Sequence, residues 1–261
     1  MAERGGGAQR EGERAAQARG DSPGWRPTML LLTCEHGGRR IPAAQRALFR
    51  GAGETLRSHR GWDPGALALA QRLAAALAAP LIFSTTSRLL VELNRSLGHP
   101  QLFSEFTRGL SAQERQTILE GHYFPYRSAV ERAVRQAIGG GERVLHLSVH
   151  SFVERLGDAV RTVEVGLLFD PSRAAEAELC AWWLGRLRGR RSDARANEPY
   201  LGTDDGLTTA LRSVFGAEVY AGVELEVRSD LLGSRSAPAL GERLAQDLGD
   251  LVLAGSGGGR D

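Results

Sequence analysis

Short apolar runs bounded by turn residues alternate along this chain with longer stretches of helical periodicity. Met29 to Cys34 is a six-residue run, Met-Leu-Leu-Leu-Thr-Cys, followed at once by Glu35-His36-Gly37-Gly38; it predicts a buried strand ending in a turn. Leu81 to Ser84 and Leu89 to Leu93 predict two more strands. Val144 to Val149 alternates, with His146, Ser148 and His150 on one side and Leu145, Leu147 and Val149 on the other. Thr162 to Phe169 and Gly222 to Val227 complete the set, the last with Glu224 and Glu226 on one face.

Helical patterns fall between these strands. A short one runs from Ile41 to about Arg50, and a longer one from Ala66 to Ala79 behind Asp63-Pro64-Gly65. There Asp63 is placed to cap the helix, with proline at its first position. Ser111 to Ile138 is helical with Pro125 breaking it near the middle, and Arg173 to Leu187, Gly206 to Phe215 and Ala237 to Leu253 follow. Strands alternating with helices predict a three-layer α/β/α fold around a mixed, mostly parallel central sheet. Ligands of such sheets bind at the carboxyl ends of the strands, where Glu35, His36, His150, Asp170 and Glu226 fall.

Composition adds limits. The 261 residues are 42% hydrophobic and 25% charged, which suits a folded chain and excludes wholesale disorder. Residues 1–27 are rich in Gly, Ala, Arg, Glu and Gln and read as a disordered tail; residues 255–261 read as a flexible end, leaving one domain over 28–254. The longest low-charge stretch, Ala66 to Ser87, is broken by Gln71 and Arg72, so no membrane span is expected. The N-terminus has no apolar core of a secretory signal, and the two cysteines, Cys34 and Cys180, make no disulfide framework; a cytoplasmic protein is the expectation. The net charge is +2, every base is arginine, and acids are interspersed with bases. A nucleic-acid partner is therefore not expected. The oligomeric state stays open.

His36 and His150 end two apolar strands, and two histidines at neighbouring strand ends can meet at one metal ion, Zn²⁺ above all. Asp63 adds a carboxylate, although capping a helix is its competing role. His59, four residues earlier, is a supporting group or an alternative ligand. Arg88, Asn94 and Arg95 flank Leu89 to Leu93 and suit a substrate carboxylate, since a guanidinium fork matches its geometry. Glu224 or Glu226 can serve as general base. His99, His122 and His146 read as core or surface histidines, and Cys34 as a buried thiol. The chain has no G-x-S-x-G, no phosphate-binding glycine loop and no H-E-x-x-H.

The order of these motifs resembles the N-formylglutamate amidohydrolase family. Thr33-Cys34-Glu35-His36-Gly37-Gly38 through Ile41-Pro42 is similar to its opening motif. His59-Arg60-Gly61-Trp62-Asp63-Pro64-Gly65-Ala66 is similar to the second block, and Ser87-Arg88-Leu89 to Asn94-Arg95 to the third. Pro125-Tyr126, His150-Ser151-Phe152, Asn197-Glu198-Pro199-Tyr200 and Glu224-Leu225-Glu226-Val227-Arg228 follow in family order, seven blocks over residues 29–232. The resemblance implies a zinc-carboxypeptidase-like fold and hydrolysis of the amide bond of a small acidic N-acyl amino acid, N-formyl-L-glutamate being the model. It implies one Zn²⁺ per chain at His36 and His150, and binding of a substrate carboxylate near Asn94 and Arg95; Arg88, Tyr126 and Arg127 are further residues expected at the substrate. It further implies Glu226 as general base, with Glu224 beside it. Two positions depart from the pattern. Zinc carboxypeptidases carry Glu three residues after the first histidine, where this chain has Arg39, so the third ligand is expected at Asp63, with Glu35 and His59 as alternatives. Arg127 stands where many relatives carry His. A binding module without turnover and a peptidase or peptidoglycan-type amidase on the same fold are the competing functions.

Overall fold

The computed structural model describes residues 23–253; the segment expected as a C-terminal end, and nearly all of the expected N-terminal tail, lie outside them. Eight strands form, β1 (Met29–Cys34), β2 (Leu81–Phe83), β3 (Val144–Phe152), β4 (Arg155–Leu156), β5 (Ala159–Val160), β6 (Val165–Leu168), β7 (Ala194–Ala196) and β8 (Tyr220–Arg228). The helices are α1 (Gly53–Arg57), α2 (Ala66–Leu77), α3 (Ala112–Ile118), α4 (Phe124–Gly139), α5 (Ala174–Gly189), α6 (Leu207–Arg212), α7 (Ser229–Gly233) and α8 (Ala237–Leu253), with a 3₁₀ turn over Ala43–Phe49. Six strands make one mixed sheet in the order β2-β1-β3-β8-β6-β7, and β4 and β5 make a separate two-stranded hairpin. Within the six-stranded sheet β2, β1, β3 and β8 run parallel, and only the β8–β6 pairing is antiparallel. No helix among the described residues is long and apolar enough to cross a membrane.

The period of two along the strands divides the core. Leu30, Leu32 and Cys34 of β1, Leu145, Leu147 and Val149 of β3, and Ala221, Val223, Leu225 and Val227 of β8 pack into one apolar cluster with residues of α2, α5 and α8. On the opposite face, Leu31, Val144 and Tyr220 at the amino ends of the strands join a second cluster with α4 and α6. The same face turns polar toward the carboxyl ends: Thr33, His146, Ser148, His150 and Glu226 are all buried there. One face is thus apolar as far as Ser151 near the end of β3, and the other is apolar at the amino ends of its strands and polar toward their carboxyl ends.

Several elements differ from the sequence reading. Leu89 to Leu93 is a turn, not a strand. Its apolar side chains are buried as a strand's would be, but the backbone folds back, with the Leu90 amide donating to the Ser87 carbonyl at 2.9 Å and Leu89 N–H donating to Ser87 Oγ at 3.3 Å. The helical stretch at Ser111 begins with a capping box between Ser111 and Glu114. It is interrupted over Leu119–Tyr123 by a π-type turn, so Pro125 lies in the first turn of α4, where its missing N–H costs nothing.

Helix α2 is capped by Gly65 in the left-handed region (φ 85°), with no side-chain cap. Asp63 therefore does not cap it, and only its backbone carbonyl accepts from Ala66, at 3.2 Å. A Cβ on Gly65 would sit 2.5 Å from Leu232 Cβ. We expect Gly65→Ala to destabilise the protein by at least about 1–2 kcal/mol, the cost of a left-handed non-glycine residue before any clash, read as a lower midpoint in urea unfolding.

Candidate metal centre and active site

Three adjacent parallel strands bring the polar groups together. His150 of β3 stands in register opposite Glu226 of β8, and Ser148 opposite Glu224. His36 follows β1 directly, and Asp63, freed from capping, reaches in from the turn before α2. His36 Nδ1 lies 3.2 Å from Asp63 Oδ2, and His150 Nδ1 lies 2.9 Å from the same oxygen. His36, Asp63 and His150 are all buried, and one donor atom from each lies within 4.8 Å of the others.

The far nitrogen of each ring is held by a second carboxylate. His36 Nε2 contacts Glu92 Oε1. His150 Nε2 lies 3.1 Å from Glu35 Oε2 and 2.8 Å from Ser148 Oγ. Both imidazoles therefore turn Nδ1 toward one carboxylate oxygen, each backed by an acid. Histidine ligands of metals characteristically sit between an ion and a carboxylate in this way. Glu35 is fully buried and also accepts from Tyr126 Oη at 2.7 Å and Ser148 Oγ at 2.5 Å. Glu92 accepts from Arg88 Nε at 2.7 Å, and Arg88 Nη1 donates to Asp63 Oδ1 at 3.3 Å.

The charge states follow from this packing. Burial alone would lower the His150 pKa, but hydrogen bonds to Asp63 and Glu35 and their charges lift it well above the ordinary value. Burial likewise opposes the charge of Asp63, yet His36, His150 and Arg88 hold its carboxyl well below the usual range. Without an ion, protons hold the cluster together; an ion at the same point displaces them. Glu226 is different. Burial pushes its carboxyl up to about 7, with Asp63 and Glu224 adding to the rise and His150 and Arg88 opposing it. Among the described residues its Oε2 is buried without a hydrogen-bond partner.

His36, Asp63, His150, Glu226, Glu224, Arg88, Asn94 and Arg95 all line one cavity of about 160 Å³. His59 also lines it, 3.7 Å from Asp63 Oδ1, with its Nε2 on the Ser151 carbonyl. Glu35 lies behind His150 rather than in the three-residue cluster. Tyr126 and Arg127, expected at the substrate, do not line the cavity. Tyr126 donates to Glu35, while Arg127 bonds the Leu93 carbonyl at 3.2 Å and lies over the Tyr123 ring. Glu224 accepts from Thr208 Oγ1 at 2.9 Å, whereas Glu226 Oε2 has no hydrogen-bond partner among the described residues.

Sequence reasoning missed Glu92, and it missed the wall built by Tyr200, Leu201, Asp204 and Asp205. That wall rests on Gly166 and Asn197. Gly166 sits opposite Glu226 in the sheet, and a Cβ there would collide with the Glu198 carbonyl, so only glycine lets this segment approach. Asn197 takes a left-handed φ of 52°, and its Oδ1 accepts from Phe169 N and Gly202 N, each at 3.0 Å.

A mixed α/β sheet carrying a buried His-Asp-His cluster and an unpaired acid at its carboxyl edge defines a class: an α/β protein with a candidate metal centre in a small cavity. The chain belongs to the N-formylglutamate amidohydrolase family, whose model matches residues 28–232. It is similar to the crystal structure of a gene product from Agrobacterium tumefaciens, at 28% identity and a TM-score of 0.75, over 92% of this chain and 98% of that one. An N-formylglutamate amidohydrolase from Ralstonia eutropha has the same fold, at 19% identity and a TM-score of 0.63, over 89% of this chain and 96% of that one. Among curated proteins no significant match is found.

Proposed function

We propose that this chain is a metal-dependent amidohydrolase that cleaves the amide bond of a small N-acyl amino acid, with N-formyl-L-glutamate, the family's namesake, as the reference substrate. The observation that carries the reading is the convergence of two Nδ1 atoms on one Asp63 oxygen, with a carboxylate behind each ring. Two imidazoles and a carboxylate are the donor set of hydrolytic zinc sites, so the residues present fit a divalent ion held by His36, Asp63 and His150. An ion bound there supplies Lewis acidity to the amide carbonyl and makes nearby water more acidic.

The chain's own residues supply the rest. Glu226 has a carboxyl near neutrality and an unpaired oxygen, so it can accept a proton from the attacking water around pH 7. The same proton then passes to the departing amine nitrogen, giving a carboxylic acid and a free amino acid. Arg95 orients the substrate through its carboxylate. Its Nη1 is anchored on the backbone carbonyls of Asn94 at 3.0 Å and Asp205 at 2.5 Å, leaving the rest of the fork to a ligand.

Amine release from a panel of N-acyl amino acids tests the reading. Arg95→Lys keeps the charge and loses the fork. Its kcat/KM on carboxylate-bearing substrates should fall about 10²-fold, in line with a lost charge-assisted pair of hydrogen bonds, and far less on the matching amides. Equal losses on both would make Arg95 a structural residue.

A further inference from the structure

Resting on that hydrolase reading, we infer that the cavity selects an N-acyl amino acid with one carboxylate and an uncharged side chain, in preference to a dicarboxylic one. The cavity's cations set the limit. Two guanidinium groups line it, Arg88 and Arg95. Arg88 is committed, with Nε on Glu92 Oε2 at 2.7 Å and Nη1 on Asp63 Oδ1 at 3.3 Å. Arg95 makes no ion pair among the described residues; its Nη1 meets only backbone carbonyls. The cavity therefore offers a seat for one carboxylate.

Acids dominate the remainder of the lining: Asp63, Asp204, Asp205, Glu224 and Glu226. A divalent cation in the His-Asp-His cluster still leaves this surface acidic. A second substrate carboxylate would face Asp204 or Glu224 with no uncommitted cation of the lining to meet it, which is how a site rejects a wrong ligand. What the wall also offers is apolar surface between its acids. Leu168, Tyr200 and Leu201 line it, and Tyr200 and Leu201 are 39% and 57% exposed, so an uncharged side chain has surface left to cover. Arg161, the cation beside this wall, is outside the lining: its guanidinium lies over the Tyr200 ring, 5.0 Å from the centroid, and donates to the Tyr200 hydroxyl at 3.1 Å.

The test compares N-formyl-L-glutamate, N-formyl-L-glutamine and N-formyl-L-leucine on the full chain supplied with Zn²⁺. Glutamine is the near-isosteric neutral match for glutamate. The kcat/KM for glutamine and leucine compounds should exceed that for glutamate by at least about tenfold, the scale of a like-charge clash at a partly desolvated site. Equal values, or a preference for glutamate, overturn the inference. Calorimetric binding of the same compounds separates the two claims. If nothing is turned over but the neutral compounds bind about tenfold tighter, the hydrolase reading falls and the selectivity stands; the reverse binding order removes the selectivity. Leu201→Arg adds a cation to the wall and should shift the glutamate-to-glutamine ratio about tenfold toward glutamate. An unchanged ratio places the side-chain pocket elsewhere and also overturns the inference.

Discussion

Glu226→Gln should lose about 10²–10⁴-fold in kcat, the usual share of a general base, while substrate affinity and metal content hold. The amide fills the same space and cannot accept the proton. Glu224→Gln should cost much less, because Glu224 already spends Oε1 on Thr208, whereas Glu226 Oε2 has no partner. The two carboxylates share a strand face, so the comparison assigns the base to one register position.

A second signature separates Glu226 from a residue that is simply sensitive. In the metal-free protein its carboxyl rises from an ordinary 4.5 to about 7 through burial. The folded state thus holds this proton more tightly than the unfolded state does. Below the unfolded pKa both states are protonated and burial carries no ionisation penalty. The penalty grows as pH rises from about 4.5 and is complete above about 7. Metal-free Glu226→Gln should therefore be more stable than its parent at pH 8, by on the order of 2 kcal/mol after allowing for the amide's own unpaired atom, and no more stable at pH 4. Chemical denaturation at the two pH values reads this directly. A stability difference independent of pH would mean that Glu226 does not titrate in this window.

His36→Ala and His150→Ala should each weaken metal binding by well over 100-fold, beyond the range seen when only an outer partner of a ligand is removed. Their stabilities should diverge. His150 separates two buried carboxylates, Asp63 and Glu35, and without it Glu35 keeps only the neutral donors Tyr126 and Ser148. Leaving such a charge uncompensated costs about 3–5 kcal/mol, and the deficit should shrink toward low pH as the carboxyl takes up a proton. His36→Ala leaves Glu92 paired with Arg88, so its cost should be smaller. Urea midpoints at pH 7 and pH 5 for both variants test this. Equal losses would show that the two backing carboxylates are equivalent.

Much of the site is written in strand periodicity. His146, Ser148 and His150 alternate with apolar residues, as do Glu224 and Glu226, and parallel pairing of β3 with β8 sets His150 beside Glu226. The turn from β1 delivers His36 because Gly37 and Gly38 pass close to the Ser84 and Thr85 backbone carbonyls, an approach that side chains would block. Other parts were not legible. An apolar run such as Leu89 to Leu93 reads the same whether its buried residues lie on a strand or a folded turn, and Glu92 was hidden inside it. Asp63 carries a helix-start signature, yet Gly65 takes over the cap and releases its carboxylate. Tyr126 reads as a substrate residue because its block falls in family order, but its hydroxyl donates to Glu35 instead. The wall of Tyr200, Leu201, Asp204 and Asp205 depends on where the chain returns after β7, which no local pattern encodes.

Metal titration tests the central claim most directly. The purified chain is stripped with a chelator, Zn²⁺ is added back in steps, and metal content and amine release from N-acyl amino acids are followed together. Activity should be absent in the stripped protein and return in proportion to occupancy, saturating at about one equivalent per chain, as a single three-ligand site with one open position requires. His36→Ala should show neither tight uptake nor recovery. Full amide hydrolysis by the stripped, metal-free protein would contradict the account.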